Sequence, residues 1–123
     1  MTVLAPAEWE PREREHRARV EALASGHLER RRRGEAHPVE DFLWTYYPFR
    51  PGQLARWHPG PGVTLADADE RAGWRFHTRT DAGVTLDLPA YRAARGELVA
   101  FVTRLLAATA SRPPQLACFG LHE

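Results

Sequence analysis

The sequence predicts an α+β fold, because its helical and strand-like patterns occur in separate parts of the chain. Residues 11–32 and 89–110 repeat charged or apolar side chains every three or four positions, which is typical of helices. Residues 62–88 instead contain short runs rich in Val, Thr and aromatic residues, separated by Asp, Gly and Ala. The strands and helices therefore do not alternate as they do in a doubly wound α/β protein.

The first predicted element is a charged helix that occupies most of residues 1–35. Pro11 suits the first turn of this helix, the arginines at residues 30–33 suit its C-terminal end, and Gly34 suits its termination. Glu and Arg residues three or four positions apart favour a surface that faces solvent. The apolar stripe is narrow and consists of His16, Val20, Leu23 and His27.

The second region, residues 37–62, combines aromatic side chains with proline. It contains half of the chain's aromatic residues and two His-Pro pairs, at His37 and His58. A helix is predicted over residues 38–47, and apolar side chains on both of its faces predict that it is buried on more than one side. A short helical turn is predicted to follow at Pro51.

The remaining elements are a β-hairpin region at residues 62–88 and a helix at residues 89–110. The segment from Thr80 to Gly83 has the composition of a tight turn between two antiparallel strands. The final helix is strongly amphipathic. We expect a single domain over residues 1–123 that is the N-terminal part of a longer protein, because the chain stops on an apolar run.

Composition excludes several classes of function. A net charge of +1 argues against a protein that coats nucleic acid by general basicity, so DNA binding would need a local basic patch. The single cysteine, Cys118, excludes an internal disulfide framework, and we expect a cytoplasmic location. No apolar run approaches the roughly 20 residues that span a bilayer, so we expect no membrane partner. All basic residues are Arg, and the lack of Lys, Asn and Ile indicates a GC-rich genome.

The aromatic and arginine residues of the region 37–62 are candidates for a ligand-binding surface. Rings and guanidinium groups in this combination can stack on a base and contact its phosphate groups. The alternative is a buried aromatic core with arginine side chains packed over it. The candidate binding residues are Tyr46, Tyr47, Arg50, Arg56, Trp57 and His58.

Other polar residues are candidates for catalysis or metal binding. Asp41 borders the aromatic residues, where a carboxylate can act as a general base, although it also suits the first turn of a helix. Imidazole and carboxylate groups suit a divalent metal such as zinc or iron. The candidate metal ligands are His37, His58, His122 and Glu123.

Two segments of the chain resemble a known family. HPVEDFLWTYYPFRPGQLARWHPG at residues 37–60, followed by LACFGLHE at residues 116–123, resembles bacterial proteins, common in actinobacteria, that are named 3-methyladenine DNA glycosylases. The resemblance implies hydrolysis of an alkylated base from DNA, with the flipped base stacked among aromatic side chains. The chain lacks the helix-hairpin-helix glycine loop of one glycosylase superfamily, so no catalytic residue transfers by position. The residues suited to these roles are Tyr46, Tyr47 and Trp57 for stacking, Arg50 and Arg56 for phosphate, and Asp41 as base.

Three functions remain open at this level. The first, which we adopt as the prediction, is a DNA-3-methyladenine glycosylase-like hydrolase that needs no cofactor. The second is a metal-dependent or small-molecule enzyme that uses the histidine and glutamate ligands. The third is a non-catalytic domain whose aromatic side chains are structural.

Overall fold

The chain begins with a short strand, which the sequence analysis did not predict. The computed structural model describes residues 1–117, and its first element, β1, spans Thr2–Leu4. Helix α1 follows at Pro6–Arg32 and therefore begins before Pro11, where its start was predicted. The Glu8 carboxylate accepts a hydrogen bond from the Ala5 N–H at 2.9 Å, which satisfies one of the free donors at the helix start.

Trp9 explains why α1 begins before Pro11. Its side chain is only 4% exposed, and its indole N–H donates to the Ala66 carbonyl oxygen at 3.0 Å. These tertiary contacts hold the first turns of α1 and offset the backbone hydrogen bond that is lost at Pro11. The small apolar core around the indole consists of Leu4, Trp9, Leu65 and Ala68.

Helices α2 and α3 occupy the aromatic region. α2 spans Glu40–Tyr46, and α3 spans Pro51–Leu54. The prediction that the first of these helices is buried on more than one side is wrong, because none of the residues of α2 is buried. The facing helix, α1, carries little apolar surface, and even Leu23 of its predicted apolar stripe is 82% exposed. In α1 only His27 stacks on a ring of α2, that of Trp44, and Phe42 and Tyr46 remain exposed.

Within the described chain, four short strands form a mixed sheet in the order β1-β2-β4-β3. β2 spans Val63–Leu65, β3 spans His77–Thr80 and β4 spans Gly83–Leu86. β4 pairs antiparallel with both β2 and β3, whereas β1 pairs with β2 in parallel. The predicted α+β class is confirmed, but the sheet is not antiparallel throughout. A three-residue strand such as β1 is too short to show the alternation by which strands are predicted.

Gly83 is required at the start of β4. The predicted hairpin is confirmed, with Thr80 paired to Gly83 across a two-residue turn. The φ angle of Gly83 is +137°, and a Cβ atom there would lie 2.1 Å from the carbonyl oxygen of Leu65. Only glycine permits this close approach of β4 to β2. A 3-10 helix occupies Asp69–Gly73 within the predicted hairpin region, and β3 begins after it at His77.

Helix α4 spans Leu88–Ala110 and belongs to a second compact unit, which begins at Asp87. The first unit covers Met1–Leu86. The Asp87 carboxylate caps α4 by accepting a hydrogen bond from the Ala90 N–H at 2.9 Å. One helix does not make a domain, so the single domain over residues 1–123 stays a prediction. Among residues 1–117, no helix is long and apolar enough to cross a membrane.

Arg71 connects three parts of the first unit. It is only 2% exposed, although it carries a charge. Its Nη1 donates to the Trp57 carbonyl oxygen at 2.8 Å, and its Nη2 lies 2.8 Å from the Glu13 carboxylate of α1. The guanidinium carbon lies 4.6 Å from the ring centroid of Trp9 and 5.1 Å from that of Trp74. A buried charge is tolerated only when it is paired in this way.

Replacing Arg71 by Ala should lower the free energy of unfolding by about 3–5 kcal/mol, because Glu13 would lose its buried partner. Arg79 is the matched control, since its ion pair with Asp69 leaves 63% and 75% of the two side chains exposed. Arg79→Ala should change the free energy of unfolding by less than about 1 kcal/mol. Urea unfolding followed by circular dichroism measures both values. Equal effects of the two substitutions would contradict the central role of Arg71.

Candidate functional site

An open cleft of about 700 Å³ is lined by residues from the end of α1 and the loop after it, from α2 and from the start of α3. Its volume falls in the range of small-molecule sites. We call it the His27 pocket. Its ionisable and aromatic residues are His27, Arg31, Glu35, Asp41, Trp44 and Arg50.

Asp41 is held from two directions at the edge of the His27 pocket. One carboxylate oxygen, Oδ2, accepts a hydrogen bond from the His37 N–H at 2.9 Å, which is a contact typical of a helix start. The other oxygen, Oδ1, lies 3.4 Å from Nδ1 of His27. That distance is too long for a strong hydrogen bond, and the two groups form an ion pair only when the imidazole is protonated. The two contacts leave the carboxylate in a defined orientation beside the cavity.

His27 is a member of this site that the sequence analysis did not identify as functional. Its side chain is buried, and its ring stacks on Trp44 with 5.5 Å between ring centroids and 24° between ring planes. The sequence analysis placed His27 on the apolar stripe of the first helix. The feature of the sequence that could have indicated a site is the position of His27 one helical turn before the arginines of residues 30–33. No sequence spacing predicts the contact between His27 and Asp41. The conformation of the loop after α1 sets the position of α2 against α1, and this conformation brings the two residues together.

An ion pair between Arg30 and Glu40 joins α1 to α2 beside the pocket. Arg31 and Arg50 line the cavity itself. Guanidinium groups in this position suit a phosphate or carboxylate group on a ligand, because they can donate two hydrogen bonds in parallel. The pocket thus offers an indole for a ring, cations for an anionic group and a carboxylate for proton transfer.

The predicted binding residues do not form one site. Arg50 lines the His27 pocket together with Asp41. Tyr46, the last residue of α2, and Tyr47, which follows it, are 69% and 58% exposed, and their rings meet edge to face at 5.2 Å. Because both tyrosines are exposed, they do not belong to a buried aromatic core, which was the alternative interpretation of this region. Arg56 lies elsewhere, with its guanidinium carbon 5.3 Å from the ring centroid of Trp74.

Trp57 and His58 lie near the sheet. Trp57 is partly buried against the apolar core. His58 accepts a hydrogen bond on Nδ1 from the Gly60 N–H at 3.2 Å, and its ring centroid lies 6.2 Å from that of His77. A small pocket lies beside these two histidines and Arg71. The volume within which the centre of a water molecule can lie is only about 10 Å³. It has room for about one water and is too small for an organic ligand.

The metal ligands predicted from the sequence are only partly described. His37 uses Nδ1 to accept hydrogen bonds from the N–H groups of Val39 and Glu40, at 3.3 and 3.1 Å, so this lone pair caps α2. Among residues 1–117, no group of three or more His, Cys, Asp or Glu side chains is placed to hold a metal ion. His122 and Glu123 lie outside the described residues, so this alternative stays a prediction.

No protein-family model matches the chain, and neither does any curated protein or any solved structure. Function must therefore be inferred from the side chains of the His27 pocket and from the resemblance at residues 37–60. The pocket brings together two predicted site residues, Asp41 and Arg50, with His27, Arg31 and Trp44.

The pKa of His58 should lie below 6.5 in the folded protein, because burial, His77 and Arg71 all disfavour its protonated ring. Replacing His77 by Gln removes one of these causes and should raise the pKa of His58. The unfolded chain binds this proton more readily than the folded one, so stability should fall as the pH drops below 6.5. An NMR titration of the ring protons measures the pKa. His16→Gln is the control, and a pKa unchanged in His77→Gln would contradict the prediction.

Proposed function

We propose that the protein is a DNA-3-methyladenine glycosylase-like hydrolase of the cytoplasm, which removes an alkylated base from DNA without a metal cofactor. The observation that carries the proposal is the His27 pocket, an open cleft of about 700 Å³ whose lining residues include the held Asp41, Trp44 and two arginines. The resemblance of residues 37–60 to proteins that carry this name supports the same reaction.

The pocket suits a flat, positively charged base. An alkylated adenine carries a positive charge when it is attached to deoxyribose, and the indole of Trp44 attracts a cation through its π face. Asp41 and Glu35 add two negative charges at the same cavity, which offset the positive charges of Arg31 and Arg50. An undamaged, neutral base gains neither of these interactions to the same extent. This difference supplies selectivity, in addition to the lower cost of unstacking a damaged base.

Asp41 is suited to act as the general base. In the reaction, the bond between C1′ of the deoxyribose and the ring nitrogen of the base breaks, and its electron pair neutralises the charge on the base. A water molecule adds to C1′ and gives one proton to Asp41. The departing cationic base needs no proton from the protein. His27, at 3.4 Å from the carboxylate, acts as a positioning residue.

The surroundings of the pocket suit DNA as the substrate. Arg31 and Arg50 would contact the phosphates beside the flipped nucleotide, since phosphate contacts orient a protein on DNA. Tyr46 exposes its ring on the same helix as Asp41, and Tyr47 exposes its ring directly after that helix. Exposed rings of this kind can stack on a neighbouring base.

Asp41→Asn should lower the rate of 3-methyladenine release from alkylated DNA by about 10²–10⁴-fold, because the amide cannot take a proton from water. The amide oxygen can still accept the His37 N–H, so the start of α2 is preserved. The matched control is Asp81→Asn in the exposed hairpin turn, which should keep the wild-type rate. Liberated base is measured by chromatography. The proposal fails if the wild-type chain releases no more base than heat-killed protein, and Asp41 is not the base if Asp41→Asn is fully active.

Arg50→Gln should weaken binding to alkylated DNA and reduce the slope of log K against log salt concentration by about 1, because one phosphate contact is lost. Arg79→Gln is the control, since Arg79 is an exposed arginine of β3. Fluorescence anisotropy with labelled DNA at several salt concentrations measures both slopes. Identical slopes for wild type and Arg50→Gln would show that Arg50 does not contact phosphate.

A further inference from the structure

One side of α4 is apolar and open to solvent. Leu98, Phe101 and Leu105 are 53%, 55% and 51% exposed, and none of the residues of the helix is buried. Apolar stripes on helices are normally covered by another element or by a partner. Within the described part of the second unit, the segment that follows α4 does not bury this face of the helix.

The spacing along this face is that of a coiled coil. Ala94, Leu98, Phe101, Leu105 and Ala108 alternate steps of four and three residues, which are the a and d positions of a heptad repeat. Leu98 and Leu105 occupy a positions, and the other three residues occupy d positions. Helix α4 contains 23 residues and so has room for about three heptads. Such a face fits the matching face of a second helix.

The charged residues beside the apolar face of α4 distinguish a parallel from an antiparallel pair of helices. Glu97 and Arg104 precede the two leucines and lie on one flank, at g positions. In an antiparallel pair the g flank of each helix faces the g flank of the other, so Glu97 meets Arg104 twice. In a parallel pair g faces e, and these charges would instead meet Val102 and Thr109. Charge complementarity therefore favours the antiparallel pair.

We infer that α4 is a self-association surface that pairs antiparallel with α4 of a second copy of the chain. Leu98 of one copy packs on Phe101 of the other, and Leu105 packs on Ala94. The small alanine opposite Leu105 allows the helices to approach closely. The inference rests on the second unit only and does not depend on the proposed function.

Sedimentation equilibrium of the full chain should give a concentration-dependent dimer of twice 13.9 kDa. Leu98→Glu should be monomeric at the same concentrations, because it places a charge in the interface. Ala107→Glu adds the same charge on the opposite face of α4 and should remain dimeric. Circular dichroism checks that both variants keep their helix content. A wild-type monomer at all concentrations, or a dimer that persists in Leu98→Glu, overturns the inference.

Reversing charges tests the pairing without removing apolar surface. Glu97→Arg should raise the dissociation constant of the dimer on the order of tenfold, because two attractive pairs become repulsive. The double variant Glu97→Arg, Arg104→Glu restores both pairs and should recover the wild-type dissociation constant. A double variant as weak as the single one would show that the two residues do not meet, and this result overturns the antiparallel arrangement.

Disulfide trapping tests the direction directly. In a Cys118→Ser background, a mixture of Ala94→Cys and Leu105→Cys chains should form mixed disulfide dimers, because these positions face each other in the antiparallel pair. Each variant alone should form few dimers. Efficient cross-linking of Ala94→Cys with itself indicates parallel helices and overturns the inference, as does a mixture that forms no disulfide.

Discussion

Burial of the Arg71 guanidinium is the constraint on which the first unit depends. A charge removed from water must be compensated by partners, and Arg71 takes them from separate parts of the chain. Glu13 comes from α1, the Trp57 carbonyl comes from the segment after α3, and the ring of Trp9 comes from the first turns of α1. The contacts of the two terminal nitrogens and of the guanidinium face therefore set where the first helix lies relative to the 3-10 helix at Asp69–Gly73. The apolar core beside it is small, so the polar contacts have a large share in orienting these elements.

Polar contacts also form the His27 pocket, because α2 has no buried residue that could anchor it by apolar packing. The Arg30–Glu40 ion pair and the contact between His27 and Asp41 join the two helices. The shape of the cavity is thereby coupled to the charges of the residues that line it. This coupling suits the proposed hydrolysis, in which the carboxylate must keep one orientation while it takes a proton from water.

Two apolar surfaces are open to solvent, and their patterns differ. At the end of α2 the exposed rings belong to adjacent residues, Tyr46 in the last helical position and Tyr47 in the extended backbone that follows. That arrangement suits separate flat groups, such as unstacked bases, better than it suits a second helix. On α4 the apolar residues recur with steps of three and four along one face. That arrangement suits another helix. The two surfaces therefore fit partners of different chemistry.

Local patterns in the sequence determined the α+β class, the hairpin at Thr80–Gly83 and the long helix α4. They also placed Asp41 and Arg50 in one region of the chain, where both line the His27 pocket. Each of these features depends on turn residues or on a period within a few positions, which a sequence shows directly. Only the tertiary structure decided that α1 begins before Pro11, that β1 joins the sheet in parallel, and that His27 meets Asp41. The physical reason is that these features depend on contacts between residues distant in the chain. Buried charges, indoles and strand edges require such contacts, but no local sequence pattern specifies the partner.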